Sequence, residues 1–364
     1  MIFTKHPNSK GKAGVFSLWF IGFWIFMVSC YQEHGIKLND VQVIGSHNSY
    51  KIAIEKPLWN YLYQRDSVMA KSLQYEHIPI EEQLNLGLRN LELDVFYDSI
   101  GGHFTNPKGL DIVRSLGKDV SAFDEEHKLK NSGLKLFHIQ DIDFRSHYLL
   151  FKDCLKALKS WSNKSKNHTP IIVLINAKDK MIEDLKKPFV FSEEALVSID
   201  REILSIFSYQ ELITPNFVQG DYKTLEEAIL TNGWPNLNSV KGKFLFVLDE
   251  NEEKINRYLK GHSNKKDVVM FVNTKEGTNN SAFRIINNPI EHFDYIKQLV
   301  SKGYMVRTRA DEGTNEARLD SYERFEKAKL SGAQVISTDY YLPSKLFKSS
   351  YRVSFNGGGF ERIK

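Results

Sequence analysis

The chain has 364 residues, 41% of them hydrophobic, 26% charged and 12% aromatic. That composition fits one large globular domain or two small ones, and it excludes a disordered or low-complexity protein. Of the formal net charge of +4, three lysines lie in the first 29 residues, which carry no acid, leaving 46 basic against 45 acidic residues. So even a balance excludes the basic surface of a nucleic-acid binder, and no nucleic-acid partner is expected.

The chain opens on a basic stretch, "MIFTKHPNSKGK", followed by the uncharged, largely apolar "AGVFSLWFIGFWIFMVSC". This pattern reads as an export signal rather than as part of a fold. Its end, Met27-Val28-Ser29-Cys30, resembles the bacterial lipobox. In that resemblance Cys30 is lipidated and becomes the first mature residue, so the protein is expected to be exported and anchored to a membrane, in the periplasm or at the cell surface. An uncleaved anchor helix, or ordinary cleavage beside an incidental cysteine, is the alternative. The second and last cysteine, Cys154, sits in "FKDCLKALKS" at helical apolar spacing, so no disulfide framework is expected and Cys154 is a candidate buried helix residue. The short polar stretch at 30–39 reads as a tether, 40–348 as one domain, and 349–364 ("YRVSFNGGGFERIK" at its end) as a tail, extra strand or cap.

Within the domain, apolar runs of strand length recur at 41–46, 88–96, 134–139, 171–177, 243–249, 268–273, 304–309 and 334–339. Segments with helical periodicity, such as "EEALVSIDREILSIF" and "HFDYIKQLVSKG", separate most of them. Eight strands alternating with helices predict a single-domain α/β fold, a TIM-type (β/α)8 barrel. An open doubly wound sheet is the alternative, but no Gly-rich phosphate loop follows the first strand. Polar residues cluster instead at many strand ends, where a barrel keeps its chemistry.

Those ends carry His47 and Asn48 on the first strand, and Glu92 and Asp94 on the second. His138 follows on the third, Asn176 and Lys178 on the fourth, Arg307, Arg309 and Asp311 on the seventh, and Asp339 on the eighth. Glu92 and Asp94, two apart in "LELDV", point to the same side of a strand. Two such carboxylates repel unless a cation lies between them or one is protonated. They are read either as ligands of Ca2+ or Mg2+, which take hard oxygen donors, or as structural carboxylates paired with barrel arginines. His47 and His138, flanking that pair across neighbouring strands, suit general base and general acid work on a phosphodiester. Each alone reads more readily as a satisfied polar residue than as a catalyst. Lys178, Arg307 and Arg309 are candidate phosphate neutralisers or partners of the acids, whereas His103 and His147 are expected to be peripheral.

With these residues in view, "GSHNSY", "GLRNLELDVFYD", "LFHIQDIDF", "TPIIVLINAKD" and "GYMVRTRADEGT" with "SGAQVISTDYY" resemble the calcium-dependent phosphoinositide phospholipase C family of bacteria, over about residues 40–345. The resemblance implies a distorted TIM barrel that cleaves phosphatidylinositol or a related inositol phosphodiester with one Ca2+. It implies His47 and His138 as the catalytic pair, Asn48, Glu92, Asp94 and Asn176 at the metal, and Lys178 toward the substrate phosphate, where the strand-end reading also puts Arg309. At Asn176 the family usually has a glutamate, so one negative charge is missing. Asp141 and Asp143 are nearby acids that could supply it. Two other readings remain open: a glycerophosphodiester phosphodiesterase-like barrel, which usually begins with His-Arg-Gly where this chain has Ser-His-Asn, and a surface lipoprotein that binds inositol phosphates or glycans without cleaving them.

Overall fold

In the computed structural model, which describes residues 35–364, ten strands form one sheet. They are β1 (Val41–Ser46), β2 (Asn90–Phe96), β3 (Lys135–Leu136), β4 (Ile171–Ala177), β5 (Phe244–Leu248), β6 (Phe271–Val272), β7 (Phe283–Ile285), β8 (Met305–Arg309), β9 (Val335–Thr338) and β10 (Glu361–Ile363). Eight of them run parallel in the order β6-β5-β4-β2-β1-β9-β8-β7. A parallel bridge between Asn273 and Phe283 joins the two ends into a nearly closed barrel, with helices between most successive staves but none between β6 and β7. The predicted α/β barrel is the observed fold.

The eight staves are not the eight predicted runs. Residues 134–139 yield only β3, two residues long, paired antiparallel with β2 outside the barrel. His138 therefore does not end a barrel strand; it stands in a turn in which Ile139 and Asp143 bridge. The eighth stave is β7, three residues long with a charged Arg284 at its centre. Such a segment carries too little apolar patterning to be recognised as a strand.

Alternation along each strand divides the barrel into two layers. Leu91, Leu93 and Val95 of β2, Ile171, Val173 and Ile175 of β4, and Phe244, Phe246 and Leu248 of β5 pack with helix residues such as Leu155, Leu196, Ile199 and Ile255. Among these helix residues is Cys154, fully buried with a free thiol in the helix Phe151–Lys164, as its apolar spacing predicts. The alternate residues, Ile172 and Leu174 of β4 with Leu245 and Val247 of β5, fill the barrel interior beside Val43 and Val335. The interior column of β2 is Asn90, Glu92, Asp94. Polar residues thus enter the interior toward the C-terminal ends of the strands, where the barrel opens.

Gly45 lies opposite Asn90 where β1 meets β2. A Cβ there would stand 2.1 Å from the Asn90 carbonyl oxygen, so only glycine permits this approach. The C-terminal segment is part of the folded unit: β10 pairs antiparallel with β1, and Tyr351, Val353, Phe355 and Phe360 are buried against Ile44, Leu88 and Phe325. At the other end Leu38 is buried and its N–H donates to the Pro235 carbonyl at 3.0 Å, so the last residues of the expected tether pack on the barrel. The expected export signal and Cys30 lie outside the described residues. Among the described residues, no helix is long and apolar enough to cross a membrane.

Candidate active site

The stretch "GSHNSY" ends β1 and starts a tight turn in which Asn48 has a left-handed backbone (φ 48°). Asparagine is one of the few residues other than glycine that adopts this conformation readily. The turn is tied to its neighbour strand. Ser49 N–H donates to the Glu92 carbonyl (2.9 Å), and Glu92 N–H donates to Ser49 Oγ (2.8 Å). The sequence thereby places His47, Asn48, Glu92 and Asp94 on adjoining strand ends.

Each of the two predicted histidines is oriented by a buried carboxylate. His47 Nδ1 lies 2.9 Å from Asp339 Oδ1, and His138 Nδ1 lies 2.8 Å from Asp143 Oδ2. With Nδ1–H given to a carboxylate, Nε2 of each ring is left for other work. Tyr75 stands between them, its ring stacked on His47 at 5.9 Å and inclined to His138 at 6.5 Å. Asn48 Nδ2 donates to the Tyr75 hydroxyl at 2.7 Å. Asp143 also pairs with the buried Lys51 (3.2 Å); burial raises its carboxyl pKa, but Lys51 and His138 outweigh that and hold it below the ordinary range. His47 is held well below the ordinary imidazole range by burial first and by Arg309 second, with Glu92 opposing. His77 supports the same corner: its Nε2 lies 2.7 Å from the His47 carbonyl.

The carboxylates of β2 are both paired with basic side chains. Glu92 Oε2 is paired with Arg307, a fully buried guanidinium that crosses the barrel from β8 and also donates to Asn287 and Ser337. Glu92 Oε1 accepts from Asn176 Nδ2 at 3.2 Å and lies 3.6 Å from His47 Nε2. Asp94 Oδ2 is 3.3 Å from Lys178 Nζ, and Asp94 holds that ammonium above the ordinary lysine range. Arg309 pairs with Asp339 (3.4 Å) and approaches His47 Nδ1 to 3.2 Å.

The donor set suits a hard cation. Asn48 Oδ1 is buried without a hydrogen-bond partner, an arrangement that costs free energy unless something else satisfies it, and buried Asp94 Oδ2 has only the Lys178 ammonium beside it. Asp94 and Asn176 are opposite one another on β2 and β4. Oxygen from two carboxylates and two amides is the ligand type that Ca2+ takes. Among the described residues, no three His, Cys, Asp or Glu side chains converge on one point, so the amide oxygens are needed to complete the set.

The two acids expected to replace the missing charge are committed elsewhere. Asp141 ties the start of the helix Lys108–Ser115 to a loop, accepting from the Lys108 N–H (3.0 Å) and the Lys186 N–H (2.5 Å). Asp143 serves His138 and Lys51. A residue not singled out in the sequence, Asp249 at the end of β5, lies near Arg307, Glu92 and Asp94. Burial pushes its carboxyl up to about 7, with Arg307 opposing and the neighbouring acids adding to the rise. His103 is peripheral, its Nε2 2.8 Å from the Lys187 carbonyl, and His147 Nε2 lies 2.8 Å from the His77 carbonyl.

Comparison with known proteins places this geometry in context. A sequence model of the family described as "Phosphoinositide phospholipase C, Ca2+-dependent" matches residues 36–364. Among solved structures, the chain is similar to a calcium-dependent phosphoinositol-specific phospholipase C from a Gram-negative Pseudomonas species, with 15% identity and a TM-score of 0.55. The alignment covers 91% of this chain and 96% of that one. It is also similar to a Ca2+-dependent phosphatidylinositol-specific phospholipase C from Streptomyces antibioticus, with 15% identity, a TM-score of 0.52, and 87% and 99% coverage. At these identities the two structures speak for the fold. No curated protein matches the chain in sequence.

Proposed function

The chain belongs to the calcium-dependent phosphoinositide phospholipase C family and is an enzyme of that type; from this premise we propose that it cleaves phosphatidylinositol or a related inositol phosphodiester with His47 and His138 as base and acid. The observation that carries this reading is the pair of imidazoles, each fixed by its own buried carboxylate on either side of Tyr75.

The inositol 2-hydroxyl is a poor nucleophile at neutral pH. His47 Nε2 takes its proton as the oxygen attacks phosphorus. His138 Nε2 gives a proton to the diacylglycerol oxygen as its bond to phosphorus breaks. The product is a cyclic inositol phosphate, which water opens with the two roles reversed. Lys178 and Arg309 would hold the phosphate oxygens, orienting the diester between the imidazoles. Asn48, Glu92, Asp94 and Asn176 would hold Ca2+, which when bound polarises the phosphate and the attacking hydroxyl. The lipidated Cys30 belongs to the same proposal, since it would keep the exported barrel beside a membrane. The non-catalytic alternative is favoured only by Asn176, and the retention of both oriented histidines weighs against it.

The test is phosphorus NMR of the full chain acting on phosphatidylinositol micelles with Ca2+, repeated across pH. A five-membered cyclic phosphate is the expected first product; phosphatidate and free inositol would overturn the reading. A base works only in its neutral form, and burial with Arg309 lowers the pKa of His47, so the base form persists below pH 6.5. The acidic limb of kcat/KM is therefore expected below 6.5, and Arg309→Gln should move it to higher pH. A limb at or above 6.5 in the parent chain would contradict the role given to His47.

A further inference from the structure

Interior strand positions form horizontal rows around a barrel, and one row bears on the missing charge. Asp94 of β2 is opposite Asn176 of β4. On the next pair of strands Ile175 is opposite Leu248, and Asp249 N–H donates to the Ile175 carbonyl at 2.9 Å. One step further along, Asp249 is level with Asn176. The side-chain direction agrees: Leu245 and Val247 of β5 point into the barrel while Phe244, Phe246 and Leu248 face the helices, so Asp249 continues the inward column. Asp94, Asn176 and Asp249 thus stand side by side on three adjacent strands about 4.8 Å apart.

The acids around Asp249 are all engaged. Glu250 accepts from the Ala177 N–H (2.7 Å) and pairs with Lys254, and Asp179 pairs with the same lysine (2.7 Å). The Asp249 side chain is half-buried and makes no hydrogen bond or ion pair among the described residues. Asn48 Oδ1, on a residue 1% exposed, is a buried oxygen without a partner at a neighbouring strand end, and Asp94 Oδ2, on a residue 2% exposed, has no hydrogen bond but faces the Lys178 ammonium at 3.3 Å.

We propose that Asp249 is the third carboxylate of the calcium site, supplying from β5 the negative charge that Asn176 withholds on β4. This rests on the proposed function, because it assumes that the cation sits at this row. Asp249 does not converge with Glu92 and Asp94 on one point as it stands, but an untethered aspartate can turn toward the row without breaking a contact, which the hydrogen-bonded acids around it cannot. Ca2+ affinity follows the number of charged ligands, so the chain would keep its charge count with the third acid moved one strand along.

The test is Ca2+ binding to the full chain by titration calorimetry, without substrate, for the parent, Asp249→Asn, Asn176→Glu and the double variant. Asp249→Asn keeps size and shape and removes only charge. It is expected to weaken Ca2+ binding by about 10- to 100-fold, and Asn176→Glu should restore most of that loss in the double variant. A Ca2+ affinity within twofold of the parent for Asp249→Asn would overturn the proposal. So would strict additivity of the two substitutions, since residues serving one ion are coupled. Circular dichroism and the melting temperature in chelator keep the reading clean, as a charge role predicts folded protein in all four cases. Should Asp249→Asn fail to fold, equal Ca2+ affinity of the parent and Asn176→Glu would sustain the proposal, and a gain of tenfold or more would overturn it. Failure of the underlying function looks different: the parent itself would bind no Ca2+ and its turnover would ignore chelator.

Discussion

Replacing His138 by alanine is expected to lower kcat by about 10²- to 10⁴-fold, the range that a positioned acid or base contributes, while Ca2+ binding stays within twofold of the parent. The asymmetry follows from the surroundings. His138 touches Asp143 and the edge of Tyr75, not the oxygens of Asn48, Glu92, Asp94 or Asn176. Its removal leaves Asp143 still paired with Lys51, so no carboxylate is stranded and the fold should survive. Steady-state turnover and calorimetric Ca2+ titration on the same preparation separate the two quantities. Equal loss of turnover and of Ca2+ affinity would place His138 in the metal site and contradict its role as acid.

Arg307→Met is expected to cost about 3–5 kcal/mol of stability, the usual result of breaking one side of a buried ion pair. Arg307 is 1% exposed and donates to Glu92, Asn287 and Ser337. Methionine fills much of its volume but leaves the Glu92 carboxylate buried without its cation. Adding Glu92→Gln to the same chain should recover a large part of the loss, because it removes the stranded charge. Urea unfolding of the two variants in chelator measures both steps. A loss below about 1 kcal/mol for Arg307→Met, within what exposed pairs contribute, would show that Glu92 does not depend on Arg307.

The fold was legible where strands are long and apolar. "IIVLINA" and "KFLFVLD" are continuous hydrophobic runs because both faces are covered, one by helices and one by the barrel interior. It was illegible where strands are short. Three residues of β7 with a central arginine carry no period that sequence can register, and "LKLFHI" reads as a strand although all but two residues of it leave the sheet. Of the site, His47, Asn48, Glu92 and Asp94 could be read because they interrupt apolar strands at their C-terminal ends. His138 could be read for the same reason, at the end of an apolar run, although that run leaves the sheet and the ring stands in a turn.

The partners were harder. Asp143 was weighed as a metal ligand, but its spacing of five from His138 within a tight turn makes it that ring's orienting acid. Tyr75 comes from a connection between β1 and β2 with no periodic pattern, and only the folded chain brings it between the histidines. Asp249 carries a sequence signal: counting inward positions along "FLFVLD" puts it on the same face as Leu245 and Val247. What sequence lacks there is the register between β4 and β5, which decides that Asp249 stands beside Asn176.

The most direct measurement is release of water-soluble inositol phosphate from phosphatidylinositol vesicles by the full chain, with Ca2+, with chelator, and with His138→Ala. The account predicts release that requires both Ca2+ and His138. Release that persists in chelator or in His138→Ala, or no release at millimolar Ca2+, would contradict it.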